Sequence, residues 1–190
     1  LESGENDLQF FTLSNGGEPQ SQLNYQVGVA GALPYDNPQG GPDGGNYYWT
    51  TSSAEPGMAY EWIEIEGIAI QLELPHNDQF ATNSIELPFE FEYFGELYDY
   101  VEVNANGWIG WNSVNETVWL NEEIPSSSAP RPAIFGFWDD LNPENDNCNS
   151  SCSGNAYYHS NNSRLVVWFE DIYHWASDGY EESYYDFQIV

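Results

Sequence analysis

The chain has 190 residues, and 31 of them are Asp or Glu against two Arg, at 131 and 164, and no Lys, giving a formal net charge of -29. That balance excludes a nucleic-acid partner, because a polyanion is repelled and the basic footprint that phosphate binding requires is missing; it argues equally against anionic membrane surfaces. Self-repulsion on this scale destabilises a compact state unless salt screens it or bound cations neutralise it, so a saline or calcium-containing setting is expected, with a general solubility adaptation and specific cation sites both open.

The length suits one large domain, or one domain with an appendage, able to bury roughly 70% of its unfolded surface. Aromatics make up 17% of the chain; they favour strands and also line sugar-binding and protein-binding surfaces. No apolar run approaches a membrane span and no signal peptide is evident. The sequence reads as a piece of a longer secreted protein whose module continues beyond 190, because the closing run YYDFQIV otherwise leaves an exposed edge.

Residues 1–42 form the first region. It holds one apolar run, LQFFTL at 8–13, expected as a strand or a terminal arm, followed by the turn signal Asn15-Gly16-Gly17. Residues 31–46, GALPYDNPQGGPDGGN, are rich in Gly and Pro and are expected as a loop or linker. The second region, 43–190, reads as short strands near 46–51, 60–65, 68–74, 85–93, 98–104, 107–111, 117–120, 133–138, 155–159, 164–170 and 184–190. Alternation at Ile63 and Ile65 and at Val101 and Val103 supports this, and no 3.6-residue period appears. Turns roughly every ten residues predict an all-β fold, an antiparallel β-sandwich of jelly-roll type behind the Gly/Pro-rich N-terminal loop region. Asn104-Ala105-Asn106-Gly107 is a hairpin signal between VEVN and WIGW, since Asn-Gly tolerates positive φ.

The series LPFEFEYFGELYDYVEVNANGWIGW, then EIPSSSAPRPAIFGFWDDLNP, RLVVWFEDI and YYDFQIV resembles a module of large secreted bacterial proteins and, more distantly, the nidogen-like (NIDO) extracellular domain. The upstream GGNYYWTTSSAEPGMAYEWIEI looks like the segment that precedes this module, so the resemblance covers about 43–190. The chain departs from it in having Gly136 where Pro or a similar residue is common, and in carrying the Cys148 to Cys152 insert. The resemblance implies a secreted, non-catalytic extracellular or cell-surface module used in adhesion, in filament or matrix assembly, or beside a secreted enzyme; it implies no particular ligand.

Asp139-Asp140-Leu141-Asn142-Pro143-Glu144-Asn145-Asp146 places oxygen side chains at alternate positions. Asp139, Asp140, Asn142, Glu144 and Asp146 are therefore candidate calcium ligands, the alternative being a solvated acidic turn in which an aspartate caps backbone amides or pairs with Arg131. It is not an EF-hand, as Asn145 and Ser151 stand where that loop needs Gly and Glu. Asp139 and Asp140 make a poor glycosidase pair because neighbours in a strand point to opposite faces. His76, His159 and His174 lie in no catalytic motif, and no enzymatic activity is expected.

Cys148 and Cys152, without further nearby Cys, read as a short-loop disulfide of an oxidising compartment. Asn115, Asn149 and Asn161 open N-glycosylation patterns. Trp108 and Trp138 are expected in the core, whereas Trp49, Trp119 and Trp175, beside polar turn residues, are candidates for stacking on sugars in a carbohydrate-binding accessory module. Expected partners are copies of the chain itself, other extracellular proteins or glycans, with no membrane insertion.

Overall fold

A computed structural model describes residues 39–52, 54, 59–74, 78–112, 119–123, 126–143, 154–175 and 184–190. The run LQFFTL, His76, Asn115, Glu144, Asp146, Cys148, Asn149 and Cys152 lie outside the described residues. The chain divides into two units, Leu1–Gly41 with Tyr48–Met58, and Pro42–Tyr47 with Ala59–Val190. In the first, β1 (Gln39–Gly40) pairs antiparallel with β2 (Trp49–Thr50).

In the second unit two four-stranded antiparallel sheets pack as a β-sandwich. One has the order β10-β9-β8-β3, from β3 (Ile70–Gln71), β8 (Asn155–Asn161), β9 (Arg164–Tyr173) and β10 (Tyr184–Ile189). The other runs β4-β5-β6-β7, from β4 (Ile85–Tyr93), β5 (Glu96–Asn104), β6 (Trp108–Gly110) and β7 (Ala133–Phe135). Strands β4 to β7 and β8 to β10 pair in sequence order, whereas β3 joins β8 only after the chain has crossed to the other sheet and back. Among the described residues there is no helix, and so none long and apolar enough to cross a membrane.

The period-2 pattern accounts for the layers. Along β4, Ile85, Leu87, Phe89, Phe91 and Tyr93 turn inward, while Glu86, Pro88, Glu90 and Glu92 are exposed. Pro88 cannot donate to a ladder, and the β4-β5 register shifts between Glu86 and Phe91, where it sits. The two-residue turn Phe94-Gly95 has positive φ at both positions, the geometry that matches strand twist in tight hairpins. Ile85, Val101 and Val103 meet Ala156, Val167, Phe169 and Ile172 of the facing sheet in one core. Each of its fully buried aliphatic or aromatic side chains contributes roughly 1.5–3 kcal/mol. Trp108 and Trp138 form a second cluster with Ala133, packed by Phe80 and Phe135.

Nine-residue β4 matches its expected bounds, and the strands from 98, 107, 155, 164 and 184 appear within a few residues of theirs. The expected strand at 60–65 does not form. Its backbone is satisfied by a side chain instead: Ile63 N donates to Gln188 Oε1 (3.0 Å), and Gln188 Nε2 donates to the Ile63 carbonyl (2.8 Å). Trp62 meets Trp168 edge to face beside this link. Of the run 68–74, only Ile70–Gln71 joins a sheet.

Candidate functional site

The acidic loop after β7 is fastened to the β5-β6 turn. Within that turn Asn106 N donates to Asn104 Oδ1 (2.9 Å) and Gly107 N to the Asn104 carbonyl (3.2 Å), closing the hairpin with both asparagines fully buried. Asn106 then reaches out with the rest of its amide. Its Oδ1 accepts Leu141 N (3.0 Å), and its Nδ2 donates to Asp78 Oδ1 (3.3 Å). Gly107 contributes its carbonyl, which accepts Gly136 N (3.2 Å) and Phe137 N (3.1 Å). A residue with a side chain would not fit there: at φ +81°, a Cβ would stand 2.0 Å from the Phe137 carbonyl oxygen.

On the far side the loop is stitched to the end of β9. Asn142 N donates to the Tyr173 carbonyl and Trp175 N to the Asp140 carbonyl, each at 2.8 Å. Asp139 Oδ1 accepts Asp140 N (2.9 Å) and lies 3.4 Å from His174 Nε2. Arg131 turns elsewhere, donating to the Ser127 carbonyl (2.9 Å), so His174 takes the place considered for it beside the acidic pair. The turn, the loop and the β9 end thus gather Asp78, Asp139 and Asp140 around two buried asparagine amides, with one imidazole as the counter-group.

Electrostatics follow from this crowding. Burial pushes the Asp140 carboxyl above its ordinary value; Asp78 raises it further, His174 opposes the rise, and Asp139 adds to it. A second acidic group lies on β9 and β10. Glu170 is raised chiefly by burial against an opposing hydrogen bond with Tyr157, and Asp171 is raised by burial and by Asp186, whose carboxylate accepts Asp171 N. A carboxyl raised in the folded state binds protons more readily than in the unfolded chain, so folding is favoured as pH falls through the raised values. The predicted result is a melting temperature that rises on acidification from neutrality, down to the ordinary carboxylate range, and Asp140→Asn should flatten part of that rise. A melting temperature that falls over this interval would contradict the assignment.

Of the candidate calcium ligands, Asp139 and Asp140 are partly exposed, Asn142 is fully buried, and Glu144 and Asp146 lie outside the described residues. Among the described residues, no three His, Cys, Asp or Glu side chains are grouped so as to hold a metal ion. Trp49, Trp119 and Trp175 are 51%, 48% and 46% exposed. Asn161 ends β8, exposed, with its Oδ1 accepting Ser163 N (3.0 Å) and Oγ (3.2 Å).

Sequence reasoning found the acidic loop and the Asn-Gly turn separately and missed that they are one structure. It also left Asp78 and His174 without a role. The family description NIDO related matches residues 47–190. No curated protein and no solved structure matches the chain.

Proposed function

The chain belongs to the NIDO-related family, and on that premise we propose that it is a non-catalytic extracellular module that joins a surface, filament or matrix assembly through a sheet edge, with cations offsetting its negative charge. The family relation supports an extracellular module. The observation that carries the assembly reading is the difference among the four sheet edges. β3 has two residues and β7 three, too short to template a partner strand. β4 is long but carries Pro88 and the outward Glu86, Glu90 and Glu92, devices that block strand addition. β10, Tyr184–Ile189, is six residues long without proline or glycine, and among the described residues no strand pairs with its outer side. Its one charged residue, Asp186, sits at the register shift between Tyr185 and Phe187, and the rest of this edge can accept an added strand through main-chain hydrogen bonds.

Calcium fits the reading through Asp139 and Asp140, since a cation beside neighbouring carboxylates relieves the crowding that raises Asp140. Sedimentation velocity across protein concentration, in chelator and in calcium, tests both parts. Species larger than a monomer are expected, growing with calcium, and Asp186→Pro, in the middle of β10, should abolish them. Calcium at a hundred times its dissociation constant should stabilise the fold by about 2.7 kcal/mol. A chain that stays monomeric throughout overturns the assembly reading, and a melting temperature indifferent to calcium overturns the cation reading.

A further inference from the structure

Residues of both sheets line an open groove of about 340 Å³, at the small end of the roughly 300–1,000 Å³ usual for ligand sites. Leu87, Phe89 and Phe91 of β4 line it together with Ile109 of β6, Leu165 of β9 and Ile189 of β10. Two features set the groove apart from the rest of this molecule. Although 31 of the 190 residues are acidic, no Asp or Glu side chain is among the described residues that line it. One of the chain's two cationic side chains, Arg164, does line it, beside Ser163 in the β8-β9 turn. Arg164 is exposed, and among the described residues no carboxylate pairs with it.

An arginine without a carboxylate partner among the described residues, in a chain of net charge -29, is an unusual use of a rare residue. An apolar trough with one cationic and no acidic side chain is complementary to a molecule with an apolar tail and a single negative head. We propose that this groove binds a single-chain carboxylate amphiphile, a fatty acid, with its alkyl chain between the sheets and its carboxylate on the Arg164 guanidinium. The overall negative charge does not prevent this. At physiological ionic strength charges are screened beyond about 8 Å, so distant carboxylates are damped while a guanidinium in contact with the head group acts at full strength, through paired N–H donors that suit a carboxylate. The small volume favours one extended chain over a bilayer patch.

Calorimetric titration of the full chain with dodecanoate below its micelle-forming concentration tests the inference, with dodecanol and dodecyltrimethylammonium as neutral and cationic companions of equal tail length. Dodecanoate is expected to bind one per chain, more tightly than dodecanol and far more tightly than the ammonium. Shortening the acid by one methylene should weaken it about four-fold, the change that about 0.8 kcal/mol per buried CH₂ corresponds to. Arg164→Gln, at the exposed start of β9, should weaken dodecanoate about ten- to a hundred-fold, as loss of a charge-assisted hydrogen bond does, and leave dodecanol unchanged. Arg164→Lys should keep most of the affinity. Absence of dodecanoate binding, equal binding by Arg164→Gln, or an ammonium that binds as well as the acid each overturns the proposal. So does dodecanoate affinity that falls as the chain self-associates, which would give the groove to a second copy. Assembly through β10 can fail while dodecanoate still binds, so the two readings are tested apart.

Discussion

Gly107→Ala is expected to destabilise the sandwich by about 3 kcal/mol or more, combining the cost of a left-handed backbone for an L-residue with that of a forced overlap. The overlap is specific: the new Cβ meets the Phe137 carbonyl oxygen and carbon and Leu141 Cδ1, and two of these three are backbone atoms that cannot swing aside. Moving them breaks the hydrogen bonds from Gly136 N and Phe137 N to the Gly107 carbonyl, the link between the β5-β6 turn and the strand leading to the acidic loop. Gly67→Ala is the control. Gly67 has almost the same φ, +80°, yet nothing lies within 4 Å of its added Cβ, so it should lose only the backbone part, about 1–2 kcal/mol. Thermal unfolding of the two variants separates the terms, and equal losses would show that the contact with Phe137 carries no weight.

Asn106→Ala is expected to cost about 2–3 kcal/mol, because a fully buried amide leaves a void and the groups that bonded to it lose a partner. Leu141 N keeps a second acceptor in the Asp139 carbonyl (2.9 Å), which limits the loss at that end. At the other end the variant removes the bond from Asn106 Nδ2 to Asp78 Oδ1 (3.3 Å). Asn106→Asp should therefore be worse than alanine at neutral pH: it keeps an acceptor for Leu141 but sets a buried carboxylate against Asp78 and near Asp140. Acid should restore the aspartate variant towards the wild type and leave the alanine variant behind. Denaturant melts of both variants at neutral and mildly acidic pH decide it, and an aspartate variant as stable as the wild type at neutral pH would refute the placement of Asp78.

The sandwich was legible because its signals are local. Alternation in IELPFEFEY and in YVEVN, with Asn-Gly after it, specifies faces and turns within a few residues of chain. The segment at 60–65 shows where local signals mislead. Its Ile63 and Ile65 alternate as a strand would, but the partner for Ile63 is a glutamine side chain 125 positions away, and no pattern in the segment announces that. The candidate site was half legible for the same reason. Asp139, Asp140 and the Asn-Gly turn stand out in the sequence, whereas the bonds that tie the turn to Asp78 and to Leu141 of the acidic loop span 28 and 35 positions. Gly136, a departure from the family pattern in sequence, has a reason only in three dimensions: a Cβ there would stand 2.6 Å from Ile189 Cγ1 of β10.

The uneven edges of the sandwich also bear on symmetry. If β10 of one chain pairs antiparallel with β10 of another, the same surface is used twice, the contact is isologous, and growth stops at two subunits. An open filament needs a heterologous joint, a donor surface different from its acceptor. With β3 and β7 short and β4 blocked by proline and glutamate, the described sheets supply one acceptor and no second edge to match it. Propagation beyond a closed pair must therefore draw its donor strand from outside the two sheets.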